Sequence, residues 1–366
     1  MKTSTLSLIL TVPYSFFVSA IQGQIYPPGD EFEEEIPDMV TVVEPPAGRI
    51  IDLMKEKECN VPVNMLITID DLNYRDKVGG TMLMYSSLYG CFEMAKALLD
   101  RGASIDLKSN EGFTALHMAS RNGHSEIAEL LLKKGAKADV LTYKGISALY
   151  MAAQNGHTKI IELLIDNGAP IDFKSNGEFT ALFIASQNGH TEAVKLLIEK
   201  KATLDLPTDR GTTPLLVSAS SGYPEIVKIL LEKGANIEAR TRRGATPLFA
   251  SAQAGHLEIV KLLLDNSADI NMRTNDGLSP LMVSSLKGYS EIVKLLLQNS
   301  AQVDLQTDQG ASALMIAAAN GHTQVVKLLL DYGASTSLKN NNGKSAVDVA
   351  ANEEIKMILR DSANNI

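Results

Sequence analysis

Along most of this chain the apolar residues come in short clusters of two kinds, separated by polar punctuation. In one kind, Ile127, Leu130 and Leu131, or Val260, Leu263 and Leu264, recur at spacings of three and four. Such spacing gathers them on one face of a helix, and Lys and Glu fill the opposite face. The other kind is a string such as Thr114-Ala115-Leu116-His117-Met118-Ala119-Ser120. Its Thr is placed to accept from the orphan amides of a helix start. Other strings put Pro next, at Pro214, Pro247 and Pro280, where proline sacrifices no helical hydrogen bond. Small pairs such as Ala152-Ala153 and Ala317-Ala318 would let this helix lie close to its neighbours.

The clusters recur with a fixed period. Glycines fall at Gly79, Gly112, Gly145, Gly211, Gly244, Gly277, Gly310 and Gly343, in steps of 33 or 66. The double step spans the unit where Gly177-Glu178 stands in reversed order. A second ladder runs Gly90, Gly123, Gly156, Gly189, Gly222, Gly255, Gly288, Gly321, again in steps of 33. It marks the turn between the two helices, where a left-handed residue is cheapest as glycine. The second helix ends at Gly102, Gly135, Gly168, Gly234 or Gly333, suited to the same cap. Neither helix can bury its apolar face alone, so the units must stack.

A 33-residue unit carrying a Thr-Pro-Leu-His-x-Ala-like string resembles the ankyrin repeat. The resemblance covers about Lys77 to Arg360 and implies an all-α solenoid of about nine stacked helix-turn-helix units joined by hairpin-like turns, the last one truncated. Units depart from the family string: Pro is often Ala (Ala115, Ala148, Ala181, Ala313), and only His117 keeps the motif histidine, with Tyr150, Phe183, Leu216, Phe249, Met282 and Met315 in that slot.

The ends differ from the middle. Residues 1–23 contain a signal-like segment, Met1 to Ala20, with Lys2, an apolar run from Leu6 to Val18 and a small-residue end at Val18-Ser19-Ala20. It favours secretory export, with mature chain starting near Ile21 or Gln24; a stray terminal helix in a cytoplasmic chain is the alternative. The apolar run is too short for a comfortable membrane span, and no Asn-x-Ser/Thr acceptor occurs. Residues 24–48 read as an acidic leader with Pro27, Pro28, Pro37, Pro45 and Pro46, and as disordered or extended. Residues 49–76 read as a degenerate N-terminal cap around Ile50, Ile51, Leu53 and Met54, and 361–366 as a polar tail.

Composition sharpens this picture. The 366 residues are 45% hydrophobic but only 5% aromatic, with no Trp, so the core must be aliphatic. Net charge is −9, and from Tyr26 to Glu58 ten acids face three bases, so most of the imbalance lies ahead of the repeats. An acidic chain without a broad basic stripe is a poor match for a phosphate backbone, so no nucleic-acid partner is expected. Cys59 and Cys91 cannot build a disulfide framework or a four-ligand zinc site, and read as plain thiols.

No catalytic constellation emerges. There is no Gly-x-Ser-x-Gly elbow, metal-protease helix or P-loop string, so no enzyme and no cofactor are expected. His124, His157, His190, His256 and His322 follow the mid-unit glycine; a metal-binding ladder is conceivable, but a hydrogen-bonding turn residue repeated with the unit explains them better. Tyr223, Tyr289 and Cys91 take the same slot in other units. The family resemblance places partners on the turn tips and the exposed end of the inner helix. That selects Tyr143, Lys144, Arg210, Arg242 and Arg243 at tips, and Arg121, Gln154, Gln187 and Gln253 at inner-helix ends. Arg210 and Arg243 are one period apart, as are Arg240 and Arg273. Stacking should gather these with Arg242 into one basic stretch. It is either plain solvated surface or a dock for an acidic segment, of a partner or of the chain's own Asp30–Glu35. The function implied is a monomeric, non-enzymatic protein-binding scaffold or adaptor; an inhibitor or targeting subunit of an enzyme is the alternative.

Overall fold

The computed structural model describes residues 46–57, 59, 62–175 and 178–364. The signal-like segment and residues 24–45 of the leader lie outside them. Helix α1 (Pro46–Lys57) and a 3-10 turn (Val63–Thr68) precede nine helix pairs. The first members are α2 (Met82–Tyr89), α4 (Ala115–Asn122), α6 (Ala148–Gln154), α8 (Ala181–Gln187), α10 (Pro214–Ser221), α12 (Pro247–Ala254), α14 (Pro280–Lys287), α16 (Ala313–Ala319) and α18 (Ala346–Val349). The second members are α3 (Phe92–Asp100), α5 (Ser125–Lys133), α7 (Thr158–Asp166), α9 (Thr191–Glu199), α11 (Pro224–Glu232), α13 (Leu257–Asp265), α15 (Ser290–Gln298), α17 (Thr323–Asp331) and α19 (Glu353–Asn364). Helix α1 takes in Pro46, Ala47 and Gly48 of the expected leader, and α19 runs on through four residues of the expected tail. Among the described residues there are no strands, only isolated bridges such as Leu141 with Ser147.

Local chemistry explains the pairs. The first helices start where Thr81, Ser147, Thr180, Thr213, Thr246, Ser279 and Ser312 accept the amide three residues on. Many stop at a left-handed glycine, for example Gly123 at φ 82°. Glycine is needed there twice over: a Cβ on Gly123 would lie 2.6 Å from the ring of His157 in the next unit. First helices pack on first helices and second on second. Ala119, Ala152, Ala153, Ile127, Leu131, Ile160 and Leu164 vanish into one continuous aliphatic core.

Four hydrogen-bond ladders stitch neighbouring units. At the turn tips, an amide of one unit bonds a carbonyl of the unit before at six junctions among the described residues, for example Asn110 N to Val78 O (3.0 Å), Tyr143 N to Glu111 O (3.0 Å), Arg242 N to Arg210 O (2.8 Å) and Asn275 N to Arg243 O (2.9 Å). Long side chains beside the tip reach 33 residues forward: Arg75 to Lys108 O, Lys108 to Leu141 O, Lys174 to Pro207 O, Arg240 to Arg273 O and Arg273 to Gln306 O. Carboxylates such as Asp172, Asp205 and Asp304 accept amides 31 residues on. The fourth ladder is the histidine one: Nε2 of His124, His157, His190, His256 and His322 bonds the carbonyl 36 residues back, at 2.9–3.2 Å. These histidines are structural turn residues.

Candidate interaction surface

The tips are built alike. In most units a Ser or Thr, such as Thr142 or Thr241, accepts the amide four residues on and closes a hairpin-like turn. The two residues after it stand out at the apex. Tyr143 is 69% exposed there, with Lys108 Nζ 5.5 Å from its ring centroid, and Lys144 is exposed beside it.

The five arginines divide into two sets. Arg240 and Arg273 keep exposed charge, but their guanidinium groups are already used: Arg240 donates to Gly244 O (3.3 Å) and Arg273 O (2.8 Å), and Arg273 to Gln306 O (3.2 Å). They are inter-unit staples. Arg210, Arg242 and Arg243 are exposed, and their side chains have no ion pair or hydrogen bond among the described residues. The bond from Arg242 N to Arg210 O makes their two tips neighbours. Tyr143 and Lys144 lie two units away along the tip row. Three exposed arginines thus stand on two adjacent tips, and the tyrosine tip lies apart from them.

Arg121, Gln154, Gln187 and Gln253 lie at the far ends of α4, α6, α8 and α12. A helix of eight residues puts them roughly 12 Å along the axis from the tips. The carbonyls of Arg121 and Gln154 anchor His157 and His190, while all four side chains are without hydrogen-bond partners among the described residues. Among those residues, no three His, Cys, Asp or Glu side chains are grouped so that they could hold a metal ion, and no helix is long and apolar enough to cross a membrane.

Two buried or half-buried titratable sites have structural partners. His117, 1% exposed, accepts from Thr114 N at Nδ1 (3.3 Å), so Nε2 carries the proton and donates to Ile146 O (3.2 Å). Burial pushes its pKa down to about 4. Near the N-terminal end, Tyr85 donates to Asp76 Oδ2 (2.7 Å) and Lys55 of α1 donates to the same oxygen (3.0 Å). Burial alone would raise the Asp76 carboxyl, but Tyr85, Lys55 and the Gly80 amide hold it below the usual range. Burial and Asp76 push the Tyr85 phenol up to about 12. Reading the units in register could have found this trio, because Asp76 stands in the Ser/Thr slot of the tip.

Cys59 and Cys91 are not plain thiols. Cys59 and Cys91 form a disulfide, with Cα atoms 4.9 Å apart. They lie 32 residues apart in sequence, and packing of α1 against α2 brings the end of the cap to the start of α3. Sequence spacing alone carries no such proximity.

The comparisons with known proteins agree with this geometry. The family described as ankyrin repeats (3 copies) matches residues 56–142, 149–241 and 237–307, and that described as ankyrin repeats (many copies) matches 296–350. This chain belongs to the ankyrin repeat family. Among solved structures, the human ASB11 ankyrin repeat domain is 30% identical with a TM-score of 0.55, covering 59% of this chain and 98% of that one. The ankyrin repeat domain of Bcl-3, described as a unique member of the IkappaB protein family, is 29% identical with a TM-score of 0.54, covering 59% and 99%. No curated protein sequence matches this chain. Ankyrin repeats are in general protein–protein interaction modules and typically non-enzymatic.

Proposed function

We propose that this ankyrin repeat chain is a scaffold or adaptor that holds an acidic segment of a partner protein on the tips of its fifth and sixth units. The observation that carries this reading is the trio Arg210, Arg242 and Arg243, exposed on adjacent tips and unpaired. The two tips together carry Asp209, Arg210, Arg242 and Arg243, three positive charges against one negative, whereas the next two tips, Asn275-Asp276 and Asp308-Gln309, carry one acid each and no base. Free guanidinium groups pair two-pronged with carboxylates. Arg121, Gln154, Gln187 and Gln253 offer polar contacts at the other end of the first helices, and Tyr143 with Lys144 extends the row of tips. A protein rather than a nucleic acid is the partner because the chain as a whole is acidic and the free arginines form a cluster, not a stripe.

The test compares the wild-type chain with an R210E/R242E/R243E variant as bait, with bound proteins quantified by mass spectrometry at two salt concentrations. Proteins held by the wild type, lost from the variant and released by added salt are expected, since exposed pairs are screened. The same proteins on both baits would overturn the arginine dock.

We also propose that residues 1–20 act as an export signal. The Cys59–Cys91 disulfide supports this, because such bonds persist in oxidising compartments and are rare in the cytosol. N-terminal sequencing of the protein from its native source should find a start near Ile21 or Gln24; an intact Met1 would refute it.

A further inference from the structure

The histidine ladder has a gap at its N-terminal end. In every later unit except the last, a His or Tyr stands just before the second helix, and each such histidine bonds a carbonyl of the unit before. In the first unit that slot is Cys91, just ahead of α3. A short thiol cannot span to the cap as an imidazole does. The junction is instead closed covalently, to Cys59, two residues past the end of α1.

We propose that the Cys59–Cys91 bond is a thiol-exchangeable latch that holds the N-terminal cap on the first repeat. Cys59 is exposed and Cys91 is buried at 5%, so a reductant reaches the Cys59 sulfur first. The thiolate of a dithiol attacks Cys59 Sγ and the bond to Cys91 breaks. The electron pair leaves on Cys91 Sγ, which sits at the N-terminus of the nine-residue α3. Unpaired amides and the helix dipole favour a thiolate there. The second thiol of the reductant then attacks the mixed disulfide, frees Cys59 and closes the reductant's own disulfide. Two electrons pass to the protein, and its two thiolates take up the two protons the reductant has lost.

The remaining anchors set what reduction does. Lys55 still reaches Asp76, and Arg101 of α3's C-terminal cap still donates to the carbonyls of Leu66 and Ile69. Cys59 Sγ lies 3.3 Å from Tyr89 O, where a thiol is a weak donor. Reduction therefore loosens the cap and leaves the stack folded. Opening the cap bares the side of α2 that Ile50, Ile51 and Met54 cover.

The experiment is hydrogen exchange by mass spectrometry on the full chain, made under oxidising conditions, before and after dithiothreitol and beside a C59S/C91S variant. Before reductant the chain should be 2 Da lighter than after it, with a linked peptide pair. On reduction, the α1 amides should exchange at least about ten-fold faster while α10 to α17 are unchanged; the variant should match the reduced chain and ignore reductant. Equal α1 exchange in both redox states would overturn the latch, as would two alkylatable thiols in the folded oxidised chain. Should the variant fail to fold, the wild-type comparison decides alone. Because the readout is at α1, failure here leaves the arginine dock untouched.

Discussion

At the scale of single residues, the structure turns irregularities of the repeat into energies. Glu178 stands where the other units have glycine, at φ 78°, and its Oε2 is buried without a hydrogen-bond partner among the described residues. Glu178→Gly should therefore stabilise the chain by about 1 kcal/mol, read as a higher urea midpoint; a lower midpoint would show the side chain has a role. Register makes this substitution legible in sequence, as the reversed Gly177-Glu178 pair. What sequence cannot supply is environment, and His117 illustrates it. Its motif slot is evident, but only the packed neighbours show that its pKa falls from 6.5 to about 4. The sign follows: the unfolded chain binds the proton more readily, so stability is full above about pH 6.5 and is lost as pH falls toward 4, by about 2 kcal/mol at pH 5. In His117→Leu, with the residue that the fifth unit carries at Leu216, that drop between pH 7 and pH 5 should disappear from urea midpoints. An undiminished drop would place the titration elsewhere.

At the scale of helices and turns, the sequence was most informative where the backbone itself sets the rule. Glycine ladders, capping hydroxyls and three-four apolar spacing mark both helices of nearly every unit, because each reflects a local constraint repeated many times. The candidate surface was only half legible. Arg240, Arg242 and Arg243 look equivalent as letters, yet Arg240 points along the stack into two carbonyls while its neighbours project from the apex. The difference lies in side-chain direction, which depends on the turn's own closure at Thr241. Arg240→Ala should cost about 1 kcal/mol in urea unfolding, the net worth of a charge-assisted bond at a partly exposed site. Arg242→Ala should fall within about 0.5 kcal/mol of wild type and act only on partner binding. If the two variants are equally destabilised, the staple has no special weight.

At the scale of the whole molecule, near-identical junctions make the units interchangeable, and this sets the last prediction. Removing residues 244–276 takes out 33 residues and joins Arg243 directly to Gly277. The tip keeps Arg242 and Arg243, and Gly277-Leu278-Ser279-Pro280 follows where Gly244-Ala245-Thr246-Pro247 stood. Helix α14 then meets α10 in place of α12, presenting Leu281, Met282 and Ser284 where Leu248, Phe249 and Ser251 had been. On the other layer α15 offers Ile292, Val293 and Leu296 for Ile259, Val260 and Leu263, nearly the same apolar face. Asp308 can take the place of Asn275 in bonding Arg243 O, because it bonds the equivalent carbonyl of Asp276. Each unit touches only its neighbours, so the shortened chain should fold, with helical circular dichroism reduced by about one ninth. A deletion of 244–260, half a period, should not, since it sets a second helix against first helices. Complete loss of helical signal in the full-period deletion would mean that the units are held by more than their neighbours.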